Sequence, residues 1–126
     1  MTRREFERIV EEAVEGLPAA FRDRLENVEF HVMESPNRRQ SRDVGDPSGR
    51  APSLYGLYEG TSLADRSTSD PYTLPSRITI FKRAIERDCR TRPDMIKCIQ
   101  ETVLHEIGHH FGLSDEAMDA ILDQTE

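Results

Sequence analysis

Residues 93–115 read PDMIKCIQETVLHEIGHHFGLSD, and the placing of their apolar and histidine positions decides the fold. At about 100° per residue, Ile96, Ile99, Val103, Leu104, Ile107 and Phe111 fall within one broad arc of a helix. Cys98, Thr102, His105 and His109 fall within a narrow arc on the opposite side. Such a helix buries one face and presents its histidines to something else. Pro93 suits its first position, Asp94 lies beside the positive end of its dipole, and the pattern runs to Phe111.

The polar face carries the chemistry. Histidines four apart rise only about 6 Å along the axis and point the same way, so His105 and His109 can bond one zinc ion. Glu106 flanks them, where a metal-bound water would need a general base. Gly112 tolerates the left-handed conformation that stops a helix and turns the chain. Asp115 then returns as a third ligand, or serves as a cap or first-turn acid of a following helix, with Glu116 and Asp119 as substitute ligands. HExxH alone arises by accident; the full spacing HExxHxxGxxD is far more specific.

Neighbouring residues have blander readings. His110 lies on the margin of the apolar arc, as a hydrogen-bonded, partly buried histidine would. His31, on a strand, is a structural residue. Cys98 precedes His105 by two turns, about 10 Å, and cannot share its coordination shell. Gly108 either admits a substrate backbone or is merely tolerated.

Upstream, Thr2 and Glu5 form a capping box ahead of Phe6, Ile9, Val10, Ala13, Val14 and Leu17, an amphipathic helix ended by Gly16 and Pro18. A short second helix reaches about Leu25. Val28 to Met33 alternates as a strand, with Val28, Phe30 and Val32 on one side. Ser35 to Ser53 reads as a long polar irregular loop. Leu54 to Tyr58 is a strand or tight turn, Glu59 to Ser76 irregular, Arg77 to Lys82 a second strand, and residues 83–90 a turn or two of helix. A last helix runs from about Asp115 to Leu122.

The chain has 126 residues, enough for one domain with a modest core. Its net charge of −7 offers nucleic acid no basic field. No apolar run approaches the roughly 20 residues of a membrane span, and the start lacks a secretory core, so the expected location is cytoplasmic. Cys89 and Cys98 show neither CxxC spacing nor a disulfide framework; two reduced thiols are expected, with a redox-sensitive bridge as the alternative.

HExxHxxGxxD resembles the zincin metallopeptidases of the Asp-zincin type. LYGLYEG (residues 54–60), RITIF and LHEIGHHFGLSDEAMD together resemble a family of short bacterial minimal zincin-like metallopeptidases. The resemblance implies an α+β fold: a backing helix, a small twisted mixed sheet, the active-site helix and a short C-terminal helix. It implies one Zn2+ held by His105, His109 and Asp115, with Glu106 as catalytic base attacking a peptide carbonyl through zinc-bound water. It also implies an edge strand to which extended substrate adds, and Arg77 to Lys82 is the candidate by position, with an ordinary sheet member as the alternative. Eleven residues follow Asp115, leaving no room for a metzincin Met-turn and C-terminal subdomain. The expected function is therefore a zinc-dependent peptidase, with an unidentified protein partner completing the cleft in one variant. The alternative is a zinc-binding interaction or scaffold module with weak or no turnover. Tyr55, Tyr58 and Tyr72 can reach the site, although packing or surface roles are favoured for them.

Overall fold

Thr2 accepts from the Glu5 amide at 3.1 Å and Glu5 accepts from the Thr2 amide at 3.3 Å, so the expected capping box starts α1 (Arg3–Glu15). The structure, a computed structural model, describes residues 1–43, 54–59, 76–108 and 112–123. After α1 come α2 (Ala19–Arg22), a 3-10 turn (Asp23–Leu25), β1 (Val28–Met33), α3 (Arg38–Asp43), β2 (Gly56–Glu59), β3 (Ser76–Phe81), α4 (Lys82–Asp88), α5 (Arg92–Gly108) and α6 (Asp115–Asp123).

The sheet is mixed, in the order β1-β3-β2, with β1 parallel and β2 antiparallel to β3. The registers put Val28, Phe30, Val32, Ile78, Ile80, Gly56 and Tyr58 on one face. That face packs on α1 and α5. Phe30 lines a small surface cavity together with Val10 and Val14 of α1, while Gly56 lies against Thr102. Phe6, Ile9, Ile78, Ile80, Ile99, Val103, Leu104 and Ile107 form the core between the layers. Each such large side chain contributes roughly 1.5–3 kcal/mol by leaving water. Gln100 is the polar exception in this layer: buried, it donates to the Ala13 carbonyl at 3.0 Å and ties α5 to the end of α1.

Two expectations need correction. The segment 35–53 is not irregular throughout, because α3 occupies part of it. Asn37 and Gln40 cap each other reciprocally, at 2.8 and 2.9 Å. Gln40 then reaches Met33 and Glu59 on the second face of the sheet, the face that also carries the buried Thr79 and Phe81. Residues 44–53 lie outside the described set, as do 60–75. The other correction concerns the edge strand: β3 is central, paired on both sides, and the strand beside α5 is β2.

The main helix begins one residue earlier than Pro93 suggests. Thr91 caps it, its hydroxyl accepting from Asp94 N at 3.2 Å and its carbonyl from Met95 N at 3.0 Å. Pro93 still lies in the first turn, where its missing N–H costs nothing. At the other end Gly112 has φ +75°, and the Leu113 amide donates to the Gly108 carbonyl at 3.0 Å. A six-residue reverse bond beside a left-handed glycine is the Schellman stop. Among the described residues no helix is long and apolar enough to cross a membrane.

Candidate metal centre and active-site groove

The site is built where β2 lies over α5. An added Cβ at Gly56 would sit 2.6 Å from Thr102 Cγ2 and 3.1 Å from the Thr79 carbonyl oxygen, so only glycine permits this approach. The crossing leaves a groove of about 320 Å³ lined by Leu54, Tyr55, Gly56, Thr102, His105 and Glu106, with Glu101 at its rim.

His105 is exposed in this groove, and its Nδ1 lies 2.8 Å from the Glu101 carbonyl oxygen. A carbonyl only accepts, so Nδ1 carries the proton and Nε2 presents its lone pair. Metal-binding imidazoles are held in one tautomer by such a bond. His105 thus fits a zinc ligand. Glu106, half-buried, accepts a hydrogen bond at Oε2 from the Tyr58 amide of β2 at 3.3 Å. Helix geometry places the two side by side, and β2 puts a backbone donor against the carboxylate. Nothing in the sequence signalled that donor, which belongs to the main chain 48 residues away.

His109 and His110 lie outside the described residues, as does the side chain of Asp115. The backbone of Asp115 opens α6, and the cap of that helix is Ser114, whose hydroxyl accepts from Ala117 N at 3.1 Å. Ser114, not Asp115, therefore occupies the position before the first residue of α6. Among the described residues no three His, Cys, Asp or Glu side chains gather to hold a metal.

Several secondary readings are decided. Gly108 admits no substrate, because a Cβ there would lie 2.5 Å from the sulfur of Met118, which is fully buried under α5. Its missing side chain lets α6 fold back. His31 pairs with Glu29 at 3.1 Å on the exposed surface. Tyr55 forms part of the groove wall and donates to Asp88 at 2.5 Å. That bond pushes the Tyr55 phenol up to about 12, with desolvation adding to it. Asp88 is held at about 2, by Arg87 first and then by Tyr55. Tyr72 is outside the described residues. Both cysteines are free, and burial, with the Cys89 thiol beside it, pushes the Cys98 thiol up to about 12.

A search of curated proteins returned no match. The sequence model of the family described as zincin-like metallopeptidase matches residues 25–124, from the 3-10 turn before β1 to beyond α6. That span takes in the whole sheet, the groove and both helices flanking Gly112, so the chain belongs to the zincin-like metallopeptidase family.

Proposed function

We propose that this protein is a zinc-dependent peptidase, with His105, His109 and Asp115 holding the metal and Glu106 as the general base. The observation that carries the reading is the shared groove: His105 with its Nε2 lone pair outward, and the Glu106 carboxylate beside it. A structural metal site has no use for such a base. Zinc, when bound, supplies Lewis acidity that acidifies a water and polarises a carbonyl. Glu106 takes the proton of the attacking water and delivers it to the departing amine. The Glu101 carbonyl keeps the His105 ring in one orientation throughout.

The substrate is an extended peptide segment that adds to the outer edge of β2, the strand that lies over α5. Net charge of −7 speaks against nucleic acid, and a cytoplasmic location belongs to the same proposal.

Glu106→Gln separates the peptidase from a zinc-binding interaction module. Zinc content, measured by metal analysis, stays as in the wild type, while hydrolysis of an unfolded protein falls by about 10²–10⁴-fold. Wild-type protein that holds zinc yet cleaves nothing across a broad peptide library removes the peptidase reading in favour of the module.

A further inference from the structure

α1 buries Phe6, Ile9, Val10 and Ala13 and leaves its other side in water. On that side, at about 100° per residue, Arg4, Arg8, Glu11 and Glu15 fall within about 60° of one another, and all four are exposed. The basic pair occupies the first half of the helix and the acidic pair the second. Arg3 pairs with Glu7 at 3.5 Å, and Glu12 pairs with Arg92. Among the described residues no ion pair engages any of the four stripe residues.

Taken alone, this order works against the helix. Arg4 and Arg8 are like charges four residues apart and repel, as do Glu11 and Glu15. Arg4 lies in the first turn and Glu15 in the last, each at the end of the helix dipole that disfavours its sign. Beside an antiparallel copy both penalties become attractions. A twofold axis crossing α1 between positions 9 and 10 sets residue 4 against 15 and residue 8 against 11. We propose that α1 is the contact surface of a homodimer, in which Arg4 and Arg8 of each protomer pair with the partner's Glu15 and the partner's Glu11. A parallel arrangement sets like charge against like and is disfavoured.

A cavity beside the stripe fits the same occupant. Its volume is about 190 Å³, and Val10, Val14 and Phe30 line it together with Glu11 and Glu15. Apolar walls with two carboxylates suit a cation on a hydrocarbon stem, which is what arginine offers. The twofold brings the partner's Arg8 to Glu11, so its stem covers the apolar wall while its guanidinium meets the carboxylate. Phe30 belongs to β1, whereas the groove lies by β2 at the opposite edge of the sheet, so the dimer leaves both grooves open. A helix of 13 residues is only about 20 Å long, and two of them bury less than a standard interface. The dimer is therefore weak and forms at high concentration.

The test is sedimentation equilibrium of the full chain from about 10 µM to about 1 mM, the range in which so small an interface assembles. At physiological ionic strength, screening beyond about 8 Å quiets the general repulsion between chains of charge −7 and spares pairs in contact. Wild-type protein shows a monomer–dimer equilibrium. Arg8→Glu converts two attractive pairs per dimer into repulsive ones and weakens association about tenfold or more. Arg8→Glu combined with Glu11→Arg swaps the charges and returns the affinity to within about twofold of wild type. Arg8→Gln, which adds no repulsion, covers a reversal that fails to fold and weakens association about threefold. A mixture gives the second measurement: Arg4→Glu/Arg8→Glu protein and Glu11→Arg/Glu15→Arg protein each stay monomeric alone and associate when combined.

A wild type that stays monomeric throughout overturns the homodimer. So does a dimer indifferent to Arg8→Glu and Arg8→Gln, or one that the charge swap fails to restore. A monomeric chain that binds an arginine-containing peptide, and loses it in Glu11→Arg, overturns the second copy in favour of a basic segment of another protein.

Discussion

A methyl group at Gly56 probes directly how β2 meets α5. In Gly56→Ala the new carbon lies 2.6 Å from Thr102 Cγ2, 3.1 Å from the Thr79 carbonyl oxygen and 3.3 Å from Ile80 Cδ1. Carbon atoms in contact prefer roughly 3.5–4.0 Å, so the first separation requires movement. Thr79 and Ile80 are 2% and 0% exposed, and the Thr79 contact is with backbone, which cannot rotate aside. Overpacking of this kind costs about 1–3 kcal/mol, while replacing a strand glycine returns about 0.5–1 kcal/mol. The net expectation is a loss of about 1–2 kcal/mol, or roughly 5 °C in Tm for a domain of this size. Thermal unfolding followed by circular dichroism reads it. Thr102→Ser supplies the internal check: it deletes Cγ2 but keeps the hydroxyl that donates to the Cys98 carbonyl at 2.8 Å. Combined with Gly56→Ala it restores part of the loss, with a coupling of about 0.5–1 kcal/mol. A Gly56→Ala protein as stable as wild type, or strictly additive single effects, would refute the close crossing that builds the groove.

Two further changes test neighbouring parts of the frame. Gly112→Ala meets nothing within 4 Å, so its cost is conformational alone, about 1–2 kcal/mol from the φ of +75°; urea unfolding measures it, and Gly112→Asn loses less. Asp88→Asn removes the partner that raises the Tyr55 phenol from 10.0 to about 12, and ultraviolet titration of the tyrosines will show that midpoint falling back towards 10.0. The linkage has two arms. The neutral phenol stabilises the fold below pH 10, and that contribution is lost as pH rises through about 12. Asp88, lowered from 3.8 to about 2, stabilises above pH 3.8, and its contribution is lost as pH falls through about 2. In Asp88→Asn both pH dependences flatten.

What the sequence determined by itself was local and periodic. The capping box at Thr2 and Glu5, the buried arc of Ile99, Val103, Leu104 and Ile107, and the stop at Gly112 each depend on residues within a turn or two of one another. The adjacency of His105 and Glu106 follows from the same helix geometry. α3 escaped notice because its arginines are polar and its tie to the sheet runs through one side chain, Gln40, reaching residues of two strands that no local pattern connects. Strand order was equally hidden. RITIF buries residues on both faces, as a central strand does, but only hydrogen bonding with two distant partners reveals it. Tertiary structure alone brought the Tyr58 amide to Glu106 and set β2 beside His105 in one groove. Periodicity records which side of an element avoids water. Which element covers that side, and whose backbone donor faces a given carboxylate, is settled by long-range packing, to which a glycine such as Gly56 contributes only by having no side chain.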